Sequence, residues 1–178
     1  SWEARRKFVL NNVCYDLSEL IAQAKDKSVR TSLAVFKPKE ILDFVIEPTE
    51  REWDKNNVQL LQQYKLFETA SVGKFEVVKK IPYKFSYKFT DAEVRESTLM
   101  IEDWEIGQLY WNCLKRHEGD EIMACADVKK KYFDDFVKTK DLYLFLGTTF
   151  EFHARNAPNP FIIIGTFYPK HQTQFGLF

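Results

Sequence analysis

Aromatic and polar residues alternate strictly between Tyr83 and Thr90, in the sequence YKFSYKFT. A period of two places the aromatic side chains on one face of a strand and the polar side chains on the other. Residues 98–101 form a second apolar segment after the charged segment 91–96, so the two are predicted to pair as a hairpin with a charged, exposed tip. Residues 161–167 begin with FIIIG and lack alternation, which is typical of a strand buried on both faces.

Apolar residues at helical spacing predict four helices, and each follows an Asp or Thr residue that can cap its first turn. The predicted helices cover residues 17–25, 50–66, 104–116 and 121–138. Segments rich in β-branched and aromatic residues predict the other strands, at residues 5–13, 32–36, 41–46 and 142–146. The third helix is expected to bury a stripe made of Ile106, Leu109, Tyr110, Cys113 and Leu114.

These strands and helices do not alternate in the βαβ manner. The predicted fold class is therefore α+β, with a mostly antiparallel sheet built from hairpins and about four helices packed against it. A chain of 178 residues is of ordinary size for one domain, and we predict a single compact domain over residues 1–178. The alternative is a subdomain boundary near residues 70–74, where small residues and Gly73 separate two patterned regions.

Composition excludes several classes of protein. The 26 basic and 26 acidic residues balance, so no overall field marks the chain as a binder of nucleic acid or of membranes. No apolar run approaches the roughly 20 residues that cross a bilayer, and no membrane partner is expected. The three cysteines, Cys14, Cys113 and Cys125, are an odd number without repeated spacing, which indicates free thiols and a cytoplasmic location. No glycine-rich phosphate-binding motif occurs, and no cofactor is predicted.

Three segments of the sequence resemble those of a known protein family. They are PYKFSYKF at 82–89, DWEIGQLY at 103–110, and LFLG at 144–147 followed by FIIIGTFYP at 161–169. In these elements the chain resembles an uncharacterised prokaryotic protein family. The resemblance implies no reaction and no catalytic residue. Members of that family carry cysteines and a histidine between the aromatic strand and the helix, whereas residues 91–98 carry neither, so the resemblance implies no metal in this hairpin.

Residues 74–88 contain five lysines against the single acidic residue Glu76. Lysines next to aromatic side chains commonly bind single-stranded nucleic acid, because the amines neutralise phosphates and the rings stack on bases. The candidate nucleic-acid-binding residues, named here the lysine stripe, are Lys74, Lys79, Lys80, Lys84 and Lys88. The alternative is an ordinary half-buried strand with a solvated face, on which only Lys84 and Lys88 point outward.

Trp104 and Trp111 lie seven residues apart on the third predicted helix, on a face next to its apolar stripe. Because that helix already has a full apolar face, the two tryptophans either widen the core or bind a partner. They are the candidate partner-binding residues, and the partner would be another protein or a second copy of the chain. The apolar residues 175–178 at the end of the chain could add to such a surface.

The acidic group Glu102, Asp103 and Glu105 could hold Mg²⁺ for phosphodiester hydrolysis. The alternative is a helix start, in which Asp103 caps the first turn and Glu105 favours the helix dipole. A nuclease of the restriction type also needs an acidic residue two positions before a strand lysine, and the triplet that fits, 127–129, is predicted to be helical. Cys113 and His117 have a zinc-like spacing but lack nearby ligands.

No catalytic residue and no metal site are therefore predicted. The leading hypothesis for function is a non-catalytic binding module that binds nucleic acid or belongs to a nucleic-acid-handling complex. The second hypothesis is a protein-interaction or structural subunit, and the third is a metal-dependent nuclease.

Overall fold

A computed structural model describes residues 2–54 and 79–170 of the chain. The helices in these ranges are α1 (Trp2–Val9), α2 (Leu17–Lys25), α3 (Trp104–Arg116), α4 (Glu121–Lys129) and α5 (Phe150–Ala154). The strands are β1 (Val13–Cys14), β2 (Leu33–Phe36), β3 (Glu40–Pro48), β4 (Tyr83–Thr90), β5 (Glu96–Met100), β6 (Tyr143–Thr148) and β7 (Phe161–Phe167). A 3₁₀ turn covers Leu10–Asn12, and a π-helical segment, Lys130–Val137, continues α4. The fold class is α+β, as predicted.

The strands form two mostly antiparallel sheets. One sheet has the order β1-β2-β6-β7, and the other has the order β3-β4-β5. The pair β1 and β2 is parallel, whereas β2 pairs antiparallel with β6, and β6 with β7. Ile101 pairs with Ile163 of β7 in an isolated bridge, which joins the end of the β4–β5 hairpin to the first sheet.

The chain groups into two compact units, residues 1–46 with 85–178 and residues 47–84. The second unit is described at residues 47–54 and 79–84, where Thr49 N donates to the carbonyl oxygen of Pro82 at 2.9 Å. The boundary expected near residues 70–74 lies outside the described residues. The single domain stays a prediction.

The aromatic side chains that alternate along β4 lie in the core of the larger unit, as their spacing predicts. Phe85, Tyr87 and Phe89 are all at most 2% exposed. Phe44 of β3 stacks on Phe85, and the Tyr87 hydroxyl donates to the carbonyl oxygen of Tyr132 at 2.7 Å. Ser86 and Thr90, on the other face of β4, are also buried, so this strand is less amphipathic than its sequence indicates.

Three of the predicted helix starts are confirmed by their caps. Asp16 accepts from Ser18 N and Glu19 N, Asp103 accepts from Glu105 N, and Asp120 accepts from Met123 N. Each carboxylate thereby satisfies backbone amides that the first turn leaves without an intrahelical partner. In α3, Ile106, Tyr110 and Cys113 are buried as predicted, whereas Leu109 and Leu114 are half-buried.

Several local predictions were wrong. The strand expected at 5–13 is helical except at Val13. Glu3 in the first turn and Arg6 and Lys7 in the last turn of α1 favour this helix, because they complement its dipole. The helix expected from residue 50 has not begun by residue 54, and the rest of that prediction lies outside the described residues. Burial on both faces holds for residues 161–163, but Ile164 is 41% exposed, close to a register shift between β6 and β7.

Candidate functional site

The lysine stripe does not lie within one unit. Lys79, Lys80 and Lys84 belong to the unit 47–84 and Lys88 belongs to the larger unit, while Lys74 lies outside the described residues. Lys79 and Lys84 are exposed, whereas Lys80 and Lys88 are half-buried. The four described lysines of the stripe are thus distributed over different environments.

Lys80 lies close to polar groups and to an aromatic ring. Its Nζ donates to the carbonyl oxygen of Glu52 at 3.1 Å and lies 3.9 Å from Glu50 Oε2. The same amine lies 5.7 Å from the centre of the Trp53 ring, and Trp53 is 45% exposed. An amine within about 6 Å of an indole face is attracted by the ring quadrupole. A cation and an exposed aromatic ring therefore share one surface.

Lys84 and Lys88 of the lysine stripe each form an ion pair with a glutamate. Lys84 Nζ lies 3.4 Å from Glu47 Oε2, and Lys88 Nζ lies 2.7 Å from Glu96 Oε2. Both pairs are at the surface, where an ion pair contributes only about 0–1 kcal/mol. The glutamates reduce the local positive charge, but they hold the lysines weakly.

The two candidate partner-binding tryptophans differ in burial. Trp104, in the first turn of α3, is 69% exposed. Trp111 is half-buried, and its ring packs edge-on against Tyr110 with the ring centres 5.0 Å apart. Of the two tryptophans, Trp104 is therefore the one that presents most of its side chain to solvent.

The acidic group at the start of α3 is arranged as a helix start. The Asp103 side chain accepts from Glu105 N at 3.0 Å. Partial burial raises the pKa of Glu102, and the negative charge of Glu151 adds to this effect. The described residues 2–54 and 79–170 contain no group of three acidic, histidine or cysteine side chains that could hold a metal ion.

The His117 imidazole contacts an aspartate, while the backbone N–H of His117 donates to the carbonyl oxygen of Cys113 at 2.9 Å. His117 Nε2 lies 2.8 Å from Asp127 Oδ2, and Arg116 Nη1 lies 3.4 Å from the same oxygen. Cys113 is 1% exposed, and burial raises the pKa of its thiol. A buried thiol with a raised pKa is a poor nucleophile. Asp127, part of the suspected nuclease triplet, is held in these ion pairs on α4.

A cleft that the sequence analysis missed lies at the C-terminal end of α2. It has a volume of about 500 Å³ and is named here the α2 cleft. Its lining residues are Ala24, Lys25, Asp26, Lys27, Arg30, Thr31, Ser32 and Asn156. Three of these residues are cations, and none of the three forms an ion pair within the part of the chain that the structure describes. The carboxylate in the lining, Asp26, accepts from Ser28 N at 2.7 Å and from Ser28 Oγ at 2.6 Å.

Hydrogen bonds hold the wall of the α2 cleft in shape. Arg30 N donates to the carbonyl oxygen of Asp26 at 2.9 Å, and Arg30 Nε donates to that of Lys27 at 2.8 Å. Arg30 has a φ of 54°, and Asn156 across the cleft has a φ of 50°. The left-handed region is costly for side chains larger than glycine, and Asn tolerates it better than Arg does.

The α2 cleft had a partial signal in the sequence. Three cations occur within six residues at the end of a predicted helix, in the segment KDKSVR at 25–30. The opposite wall comes from Asn156, which lies far away in the sequence, and nothing local connects the two.

A protein-family model matches most of the chain. A family described as "Domain of unknown function (DUF8757)" matches residues 15–178. The chain belongs to this family. No curated protein and no solved structure gives a significant match to it. None of the described helices of this DUF8757 chain is long and apolar enough to span a membrane.

Proposed function

We propose that this DUF8757 protein is a non-catalytic binding module for single-stranded nucleic acid, acting alone or within a nucleic-acid-handling complex. The observation that carries the proposal is the position of the Lys80 amine 5.7 Å from the ring of Trp53, which is 45% exposed. A base stacked on the indole would bring its phosphate close to the amine. The resemblance leads us to propose also that the protein is prokaryotic, and its free cysteines lead us to propose that it acts in the cytoplasm.

Lys84 and Lys88 supply further positive charge for phosphates. Their glutamate partners are exposed: the side chains of Glu47 and Glu96 are 56% and 58% accessible to solvent. A phosphate can replace such a partner at a cost of about 1 kcal/mol or less. Binding is then expected to be weak at physiological salt and to strengthen steeply as the salt concentration is lowered.

A salt titration with a matched control tests the proposal. The triple variant Lys80→Ala, Lys84→Ala and Lys88→Ala should weaken the binding of single-stranded RNA or DNA. It should also flatten the slope of log affinity against log salt by about two units, because about 0.7 counterions are released per phosphate contact. The control removes the same charge from the lysines that pair with aspartates elsewhere, Lys129, Lys131 and Lys138.

Three outcomes would contradict the proposal: no binding by the parent protein at low salt, no effect of the stripe variant, or an equal effect of the control. A further variant is expected to bind nucleic acid more tightly than the parent protein. Glu47→Gln removes the carboxylate next to Lys84 and should tighten binding by up to about fivefold, which corresponds to roughly 1 kcal/mol for a surface ion pair.

The second candidate function is a protein-interaction or structural subunit. The observation that favours it is the 69% exposure of Trp104, because exposed tryptophans are frequent anchors of protein interfaces. The partner would be another protein or a second copy of the chain.

A further inference from the structure

We propose that the α2 cleft binds a phosphate ester, with the phosphate group held by Lys25, Lys27 and Arg30. This site is separate from the lysine stripe and shares no residue with it. The cleft is open to solvent, and it combines an excess of positive charge with hydroxyl and amide groups in its lining, which points to a small anionic ligand.

The charge of the α2 cleft is the first argument. Its lining carries three cations against Asp26. The hydrogen bonds from Ser28 lower the pKa of Asp26, so this carboxylate is ionised at neutral pH and occupied by Ser28. The net charge of the lining is therefore about +2, from three cations and one carboxylate. In the lysine stripe, by contrast, Lys80, Lys84 and Lys88 each lie near a glutamate that offsets their charge.

The geometry of Arg30 is the second argument. Its Nε donates to the carbonyl oxygen of Lys27, which restrains the guanidinium, and this hydrogen bond does not use the two Nη groups. A fixed guanidinium with two parallel donors matches the oxygens of a phosphate. Arg30 is also held in the left-handed region, at a φ of 54°. Strained backbone conformations of this kind concentrate at ligand sites.

The size and lining of the α2 cleft indicate the class of ligand. A volume of about 500 Å³ lies within the range of roughly 300–1,000 Å³ that is usual for small-molecule sites. Thr31, Ser32 and Asn156 offer hydroxyl and amide groups, which suit the sugar of a phosphorylated compound. The phosphate could come from a free sugar phosphate, from a nucleotide or from the backbone of a nucleic acid, and these share the same recognition chemistry.

The competing explanation is structural. Cations near the C-terminus of a helix complement its dipole, and Lys25 lies in the last turn of α2. On that explanation, removal of the cations would lower the stability of the protein without changing the affinity for phosphates.

Isothermal titration calorimetry on the full chain tests the site. The probes are inorganic phosphate, ribose 5-phosphate, adenosine monophosphate and a short single-stranded RNA, each compared with chloride at equal ionic strength. The variant is Arg30→Gly, because glycine adopts the left-handed region without strain and the fold should be retained. We expect it to lower the affinity for the phosphorylated probes at least tenfold, and Lys27→Ala to lower it several-fold.

The control is Arg155→Ala. Arg155 is next to Asn156 in sequence, but its guanidinium pairs with Glu151 at 2.6 Å and does not line the cleft. This variant should bind the probes as the parent does. Tighter binding of ribose 5-phosphate and the mononucleotide than of inorganic phosphate assigns the site to small phosphorylated compounds. Loss of RNA binding alone in Arg30→Gly assigns it to a nucleic-acid backbone.

The proposal is overturned if the parent binds no probe more tightly than chloride, or if Arg30→Gly binds the probes as the parent does. Its failure is distinguishable from that of the nucleic-acid proposal. The stripe variant of Lys80, Lys84 and Lys88 leaves the α2 cleft intact and should bind ribose 5-phosphate with unchanged affinity.

Discussion

Arg95 connects the β4–β5 loop to the start of α2, because its Nη2 donates to Asp16 Oδ1 at 2.6 Å. Its Nε donates to Asp91 Oδ2 at 3.1 Å. Asp91 is 2% exposed, and its Oδ1 also accepts from Glu93 N and Arg95 N, both at 3.0 Å. The exposed loop tip that the sequence predicts is therefore built on a buried carboxylate.

Asp91→Ala is expected to destabilise the protein by at least about 2 kcal/mol, because it leaves the backbone N–H groups of Glu93 and Arg95 and the Nε of Arg95 without their acceptor. Urea denaturation measures the loss. Asp120→Ala is the control, since Asp120 is exposed and its side chain accepts one backbone hydrogen bond, from Met123 N. Its loss should be about 1 kcal/mol, and similar losses in the two variants would show that the burial of Asp91 has no energetic role.

The Asp127 carboxylate should make the stability of the protein sensitive to acid. The hydrogen bond from His117, and then the positive charges of His117 and Arg116, lower the pKa of Asp127. A carboxyl group with a lowered pKa in the folded state stabilises the fold above its unfolded pKa, about 3.9. That stabilisation is lost as the pH falls from this value through the lower folded pKa.

Asp127→Asn should therefore be less stable than the parent at neutral pH, and the difference should shrink below about pH 4. Thermal melts over a range of pH give this difference directly. Glu118→Gln removes an exposed carboxylate close by in sequence and should behave like the parent. A difference between Asp127→Asn and the parent that stays constant down to pH 2 would contradict the assignment.

Asp103 is expected to act in helix initiation and not in catalysis. Asp103→Ala should cost about 1 kcal/mol of stability, and Asp103→Asn should cost less because Asn is also a good cap. We expect no cleavage of DNA or RNA by the parent protein with Mg²⁺. If the parent cleaves nucleic acid, and Asp103→Asn or Glu105→Gln abolishes cleavage at an unchanged melting temperature, the protein is a nuclease.

The two tryptophans of α3 should respond differently to truncation. Trp111→Ala should cost roughly 2–4 kcal/mol, because the side chain is half-buried and packs on Tyr110. Trp104→Ala should change stability by less than about 1 kcal/mol, as expected for an exposed position. Size-exclusion chromatography and a thermal melt on each variant separate core packing from association. A large loss of stability in Trp104→Ala, without a change in association, would exclude its role as an interface anchor.

Local sequence signals predict the elements that depend on neighbouring residues. The alternation from Tyr83 to Thr90 gives β4, and the carboxylates of Asp16 and Asp103 mark the first turns of α2 and α3, because each of these signals acts within a few residues. The pairing of Lys84 with Glu47 and the position of Asn156 beside the 25–30 segment depend on contacts distant in sequence. A count of lysines therefore overestimates the free charge of the lysine stripe, and the α2 cleft cannot be found from either of its walls alone.

The strand order β1-β2-β6-β7 has a consequence for how the protein folds during synthesis. The residues that follow β2 and precede β6, Lys37 and Asp141, form an ion pair across 104 residues of sequence. Strand β6, which pairs with β2, is thus synthesised roughly 5–20 s after β2, at about 5–20 residues per second. Until then β2 has only the two-residue strand β1 beside it, with Leu33 and Val35 at an open edge. The nascent chain should therefore depend on chaperones or on slow late pairing, and aggregation should be most sensitive to substitutions in β2.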